Sequence, residues 1–105
     1  MNVIVLVGQV IELPYLRETP SGYQCATMVL KVDRPFANSD GVYEADEIAV
    51  TLWKGIAQTT CEVCALHDVV AVKGRLTTRT HNKDGVIYRN YEVVAEKVPF
   101  IKKEN

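Results

Sequence analysis

Lys73, Arg75, Thr77 and Arg79 occupy alternate positions, and His81 continues the series. Alternate residues of an extended chain project to one side. These side chains therefore form a basic stripe, with Val70, Val72, Gly74 and Leu76 turned the other way. Such a stripe is suited to binding a polyanion. Trp53, the only tryptophan, falls in line with Glu47, Ala49 and Thr51, while Ile48, Val50 and Leu52 share the opposite side. A tryptophan in polar company is informative, because large rings usually go inside. Phe36 stands in a loop between Arg34-Pro35 and Asn38, and Tyr88 and Arg89 return beyond a turn that carries Lys83. Cations follow phosphates and rings stack on unpaired bases, so the set implies a surface for single-stranded nucleic acid. Trp53, Phe36, His81 and Tyr88 are the candidate stacking residues. Arg34, Lys73, Arg75, Arg79, Lys83 and Arg89 are the candidate phosphate contacts, with Thr77 on the same face. The same residues admit another use, in which the rings anchor a protein partner and the stripe meets its acidic surface. Glu47, in the middle of the supposed path, favours that alternative.

The charge distribution sharpens this reading. Formal net charge is −1, yet residues 33–68 sum to −5 and residues 70–91 to +4. Only Asp84 opposes the five cations of the second stretch. The 105 residues are 48% apolar and 24% charged, a globular composition of one domain's size, which excludes disordered and collagen-like classes. The apolar run Val3–Val7 is far short of the ~20 residues of a membrane span, and no secretory leader pattern opens the chain. Three cysteines make no disulfide framework, and the odd count points to a reducing, cytoplasmic setting.

Catalytic and metal chemistry find little support. Cys61-Glu62-Val63-Cys64 has the spacing of half a zinc site, with His67 close by. It lacks the second close pair, and both thiols fall on the apolar side of their segment, where small buried thiols are common core residues. His67 and His81 have no spacing that implies a dyad, and the six glycines are scattered singly rather than gathered in a phosphate-cradling loop. No catalytic residue, metal or cofactor is expected.

The elements that must position the stripe are marked by turns at Pro20-Ser21-Gly22, Asn38-Ser39-Asp40-Gly41 and Asn82-Lys83-Asp84-Gly85. Between them lie segments rich in Val, Ile, Leu, Thr and Tyr that predict strands at about 2–12, 23–33, 46–54, 68–80 and 86–98. In 55–66 the apolar residues Ile56, Ala57, Cys61, Cys64 and Ala65 recur at helical spacing. Five strands with one short helix between the third and fourth is the layout of an all-β, partly open Greek-key barrel of the OB type. The reading is one domain, 1–101, followed by a short tail, 102–105. The first strand is apolar on both faces, Val3, Val5 and Val7 against Ile4 and Leu6, which suits burial against a second copy; a dimer and a tetramer both fit.

Several segments, in order, resemble the bacterial single-stranded DNA-binding protein family. They are Asn2–Gly8, Thr19–Gly22, Val32–Phe36, Asp40–Asp46, Leu52–Lys54, Gly74–Arg79 and Tyr91–Val98. The resemblance runs from about residue 2 to 101. It implies an OB fold, a homo-oligomer that is usually a tetramer, and sequence-tolerant binding of single-stranded DNA in replication, recombination and repair. Phe36 and Trp53 fall where the family keeps stacking aromatics, and Arg34, Arg75 and Arg79 where it often keeps basic contacts. Glu47 and His81 stand where the family commonly has aromatics. The carboxylate repels phosphate, whereas the imidazole ring can still stack. The family typically adds a linker and an acidic, phenylalanine-ended tail that recruits partners. Pro99–Asn105 does not resemble one, so recruitment through such a tail is not expected.

Overall fold

The computed structural model describes residues 1–103. The chain folds as β1 (Ile4–Glu12), β2 (Arg17–Glu18), β3 (Gln24–Asp33), β4 (Ala45–Trp53), α1 (Lys54–Val63), β5 (Val69–Lys83) and β6 (Val86–Lys102). The sheet order is β1-β5-β6-β4-β3-β2, and β1 also pairs with β3, so five strands close into a ring with the two-residue β2 on its margin. The closing contacts are the parallel pairing of β4 with β6 at Val50–Val93 and Thr51–Val94, and the antiparallel pairing of β1 with β3 from Gln9 onward. Five strands and a helix between the third and fourth of them form the expected OB-type barrel.

Alternation drives the closure. Val10, Ala26, Met28, Leu30, Val50, Leu52, Val70, Val72, Val93 and Ala95 face inward from all five ring strands and form one buried core. Burying side chains as large as Met28, Leu30 and Leu52 contributes roughly 1.5–3 kcal/mol each. Helix α1 packs against β3, β4 and β6 and inserts Ala57 into the core.

Three boundaries, the end of the helix and the ends of the two hairpin strands, differ from the sequence expectation by three residues or more. The helix ends at Val63 rather than residue 66, because Cys64 turns extended and Asp68 folds back beneath the helix end. The buried Asp68 carboxylate accepts from the Ala65 amide at 2.9 Å and from Lys103 Nζ at 2.7 Å, and Lys103 also donates to the Val63 carbonyl. The β5–β6 hairpin is longer than predicted, reaching Lys83 on one side and running from Val86 to Lys102 on the other. Asp84 and Gly85 both have positive φ, the requirement of a two-residue type I′ turn, so Lys83 pairs directly with Val86 and no loop remains. Of the expected tail, Lys102 closes β6 and Lys103 is anchored to Asp68, while Glu104 and Asn105 lie outside the described residues. Among the described residues no helix is long and apolar enough to cross a membrane.

Candidate nucleic-acid interface

Strands β3 and β4 are in full antiparallel register, which places Trp53 opposite Cys25 and Thr51 opposite Thr27 on the outward face. Strand β2 adds Arg17 opposite Cys25. From the other side of the ring the β5–β6 hairpin brings Arg79, Glu92 and Tyr91. Together these residues line an open groove of about 440 Å³. Its floor is buried and polar, with Thr51 and Cys25 nearly inaccessible, while Trp53 is half-buried on its wall. Arg17 Nη2 donates to Thr27 Oγ1 at 3.3 Å, which holds the guanidinium over the floor. An aromatic wall, a hydroxyl-lined floor and cations at the rim are what a single-stranded nucleic acid needs from a surface.

The predicted side chains separate into distinct groups. Arg75, Thr77 and Arg79 share the outward face of β5. Arg75 lies 3.8 Å from Glu96 and Arg79 3.3 Å from Glu92, so carboxylates on β6 screen part of the stripe. Lys73 is set off by a bulge, lying opposite Val5 of β1 and Lys97 of β6, and it does not line the Trp53 groove. His81 and Tyr88 are directly paired across the hairpin, with ring centroids 6.5 Å apart and planes tilted by 35°. Both belong to the exposed arm that ends at Lys83. Arg89 pairs with Thr80 and therefore points to the face opposite Arg79 and Tyr88, so the hairpin does not gather it with the stripe.

Phe36 is 72% exposed, so it does not fold back to the core. The loop beneath it is stapled by Arg34. The guanidinium donates to Asp46 through Nε and Nη2 and to Glu44 Oε2 at 2.8 Å, and Asn38 Nδ2 reaches the other Glu44 oxygen at 2.7 Å. The Arg34 hydrogen bond holds the Asp46 carboxyl below the usual carboxylate range, and the same bond raises the guanidinium. Arg34 is thus compensated by two carboxylates and shapes the loop that presents Phe36. Glu47 is exposed and lies opposite Lys31, so a cation faces it across the strand pair.

Cys61 and Cys64 pack half-buried against the core, and burial pushes both thiols up. Among the described residues no three His, Cys, Asp or Glu side chains gather where a metal ion could be held.

Four residues around Trp53 were not singled out from sequence: Arg17 and Tyr91, which line this groove, and Tyr23 and Lys54, which line an adjoining opening that also includes Trp53. Tyr91 pairs with Thr78 and so alternates away from Arg79. Parity alone puts it inside with Val93, but the hairpin runs past the edge of the core and its ring lines the groove instead. Arg17 sits on a two-residue strand that no periodicity marks. Lys54 adopts φ 54° at the strand-to-helix junction and lies 5.0 Å from the Tyr23 ring centroid.

Comparison with known proteins bears on the whole chain. The profile described as the single-strand binding protein family matches residues 1–101. The chain is 39% identical to single-stranded DNA-binding protein 3 of Listeria innocua over 96% of its length, and 39% identical to the single-stranded DNA-binding protein of Bacillus cereus over all of it. It spans 64% and 62% of those two proteins, under two thirds of each. It is also 39% identical to single-stranded DNA-binding protein B of Bacillus subtilis, covering 95% of this chain and 89% of that one. A deletion mutant of the single-stranded DNA binding protein from Thermus aquaticus superposes with a TM-score of 0.75 at 26% identity, over 97% of this chain and 49% of the other.

Proposed function

Because the chain belongs to the single-strand binding protein family, we propose that it binds single-stranded DNA with little sequence preference and without catalysis, through the outward face of β3, β4 and the β5–β6 hairpin. The observation that carries this reading is the Trp53 groove, where a ring, a polar floor and the cations Arg17 and Arg79 converge on one open surface. Bases stack on Trp53, on Phe36 of the stapled loop and on the His81–Tyr88 pair, while Arg75, Arg79 and Lys83 follow the phosphates. In the cell this activity serves replication, recombination and repair, and its setting is the cytoplasm, where three unpaired cysteines stay reduced.

The functional unit in this reading is a homo-oligomer, most simply a homotetramer. Val5 and Val7 are 66% and 56% exposed on the outer side of β1, beside Ala71 and Val69, and Val3, just before the strand, is 54% exposed. Pairing with β3 begins only at Gln9, so among the described residues the first half of β1 has one free edge. An exposed apolar strand with an unpaired edge is a liability that a second copy removes. Lys73 borders that stripe and so belongs to the oligomer margin as much as to the DNA path.

Titration with oligo-dT at low and high salt, following Trp53 fluorescence, tests the proposal. Quenching that weakens with salt supports it, and Trp53→Ala then costs about 1–3 kcal/mol of affinity. The carboxylates Glu47, Glu92 and Glu96 among the cations favour one second reading, a face for a protein partner. Absence of salt-sensitive binding to any single strand selects it.

A further inference from the structure

Trp53 is the shared wall of two grooves. On one side lies the groove of Tyr91 and Arg17 described above. On the other lies a second opening of about 450 Å³, walled by Tyr23, Lys54 and Arg75 over a floor of Val94 and Ala95. Tyr23 and Tyr91 are 52% and 67% exposed, so neither ring is held by the core. Each groove repeats the same set of parts: Trp53, one solvent-facing tyrosine and one cation outside any ion pair. Among the described residues neither Arg17 nor Lys54 is ion-paired, unlike Arg34, Arg75 and Arg79.

We infer that Tyr23, Trp53 and Tyr91 form a three-ring ladder that seats adjacent nucleotides of a single strand, one base on each side of Trp53. Lys54 holds the phosphate beside Tyr23 and Arg17 the phosphate beside Tyr91. These two cations carry the phosphate contacts at the ladder because, among the described residues, no carboxylate pairs with either. At Arg75 and Arg79 a phosphate must first displace Glu96 or Glu92. The hydroxyls of Thr27 and Thr51 give the Tyr91 side a polar floor, whereas Val94 and Ala95 make the Tyr23 side apolar. The two seats are therefore unequal, the first suited to a base that turns a polar edge inward and the second to stacking alone. This inference rests on the DNA-binding reading above and assigns two tyrosines and two cations that the sequence pattern does not.

The test compares the parent protein with Tyr23→Ala, Tyr91→Ala and the corresponding phenylalanine variants, each checked for folding by circular dichroism. Binding is measured against oligo-dT, and photocrosslinking to an oligonucleotide carrying 5-iododeoxyuridine maps which rings touch bases. Each alanine variant is expected to lose about five- to 150-fold in affinity, with phenylalanine restoring it, and crosslinks are expected at both tyrosines. If the parent binds and quenches Trp53 while both alanine variants bind equally well and crosslinks avoid Tyr23 and Tyr91, the ladder is wrong and the DNA-binding proposal stands. If the parent itself shows no salt-sensitive binding, both are overturned.

Discussion

Gly74 of β5 crosses β6 so closely that a β-carbon on it would lie 2.0 Å from the carbonyl oxygen of Val94. The two residues sit where the register of the β5–β6 pairing shifts, just before Arg75 and Val94 pair. The shifted pairing there sets Arg75 in the opening it shares with Trp53. Gly74→Ala forces the two strands apart and is expected to lower stability by about 1–3 kcal/mol, the usual range for overpacking a well-fitted interior. Urea unfolding followed by circular dichroism checks this, and an unchanged midpoint refutes the close crossing.

The Arg34–Asp46 pair gives a pH prediction with a definite sign. The folded Asp46 carboxyl titrates below its unfolded value because it accepts from Arg34. Its contribution to ordering the Phe36 loop is therefore present above the ordinary carboxylate range and is lost as pH falls through the lowered value. NMR titration of the Asp46 carboxyl carbon should give a midpoint below about 3.9. Arg34→Ala should return the midpoint toward that value.

Cations that look alike in sequence are expected to differ in salt dependence. Replacing Arg17 by alanine removes a groove cation that, among the described residues, enters no ion pair, and should reduce the slope of log affinity against log salt by roughly 0.7 for each phosphate no longer neutralised. Arg34→Ala should leave that slope nearly unchanged, because its charge is already compensated by Glu44 and Asp46. Equal slopes for the two variants, measured with oligo-dT at several salt concentrations, contradict the assignment.

Lys103 ties the end of β6 to the buried Asp68 beneath the helix. Lys103→Ala removes a charged donor from a carboxylate that is 2% exposed and should cost about 1–3 kcal/mol. Lys103→Arg should recover part of the loss. Thermal melts of the three proteins at neutral pH decide it.

Much of this architecture is legible along single segments. The turn signals, the period-two runs and the one helical stretch locate every ring strand and the helix within a few residues, because parity and turn chemistry are local. The outward placement of Trp53 and of the Arg75–Arg79 stripe follows from the same parity. The family resemblance, carried by segments spread from residue 2 to 101, agrees with the fold that parity requires.

What parity cannot supply is which strands lie alongside one another beyond the core. Tyr91 alternates toward the inside, yet the hairpin outruns the core and delivers the ring to the groove. Arg34 and Arg17 are equally basic in sequence, but β4 brings Asp46 and the preceding loop Glu44 to Arg34, while among the described residues Arg17 enters no ion pair. Local pattern thus suffices for the elements, their faces and the gathering of cations and rings on one side of the sheet. Which cations stay uncompensated and which rings flank Trp53 emerges only on folding. Charge compensation and groove membership depend on neighbours far apart in the chain, and those neighbours are chosen by the closure of the barrel.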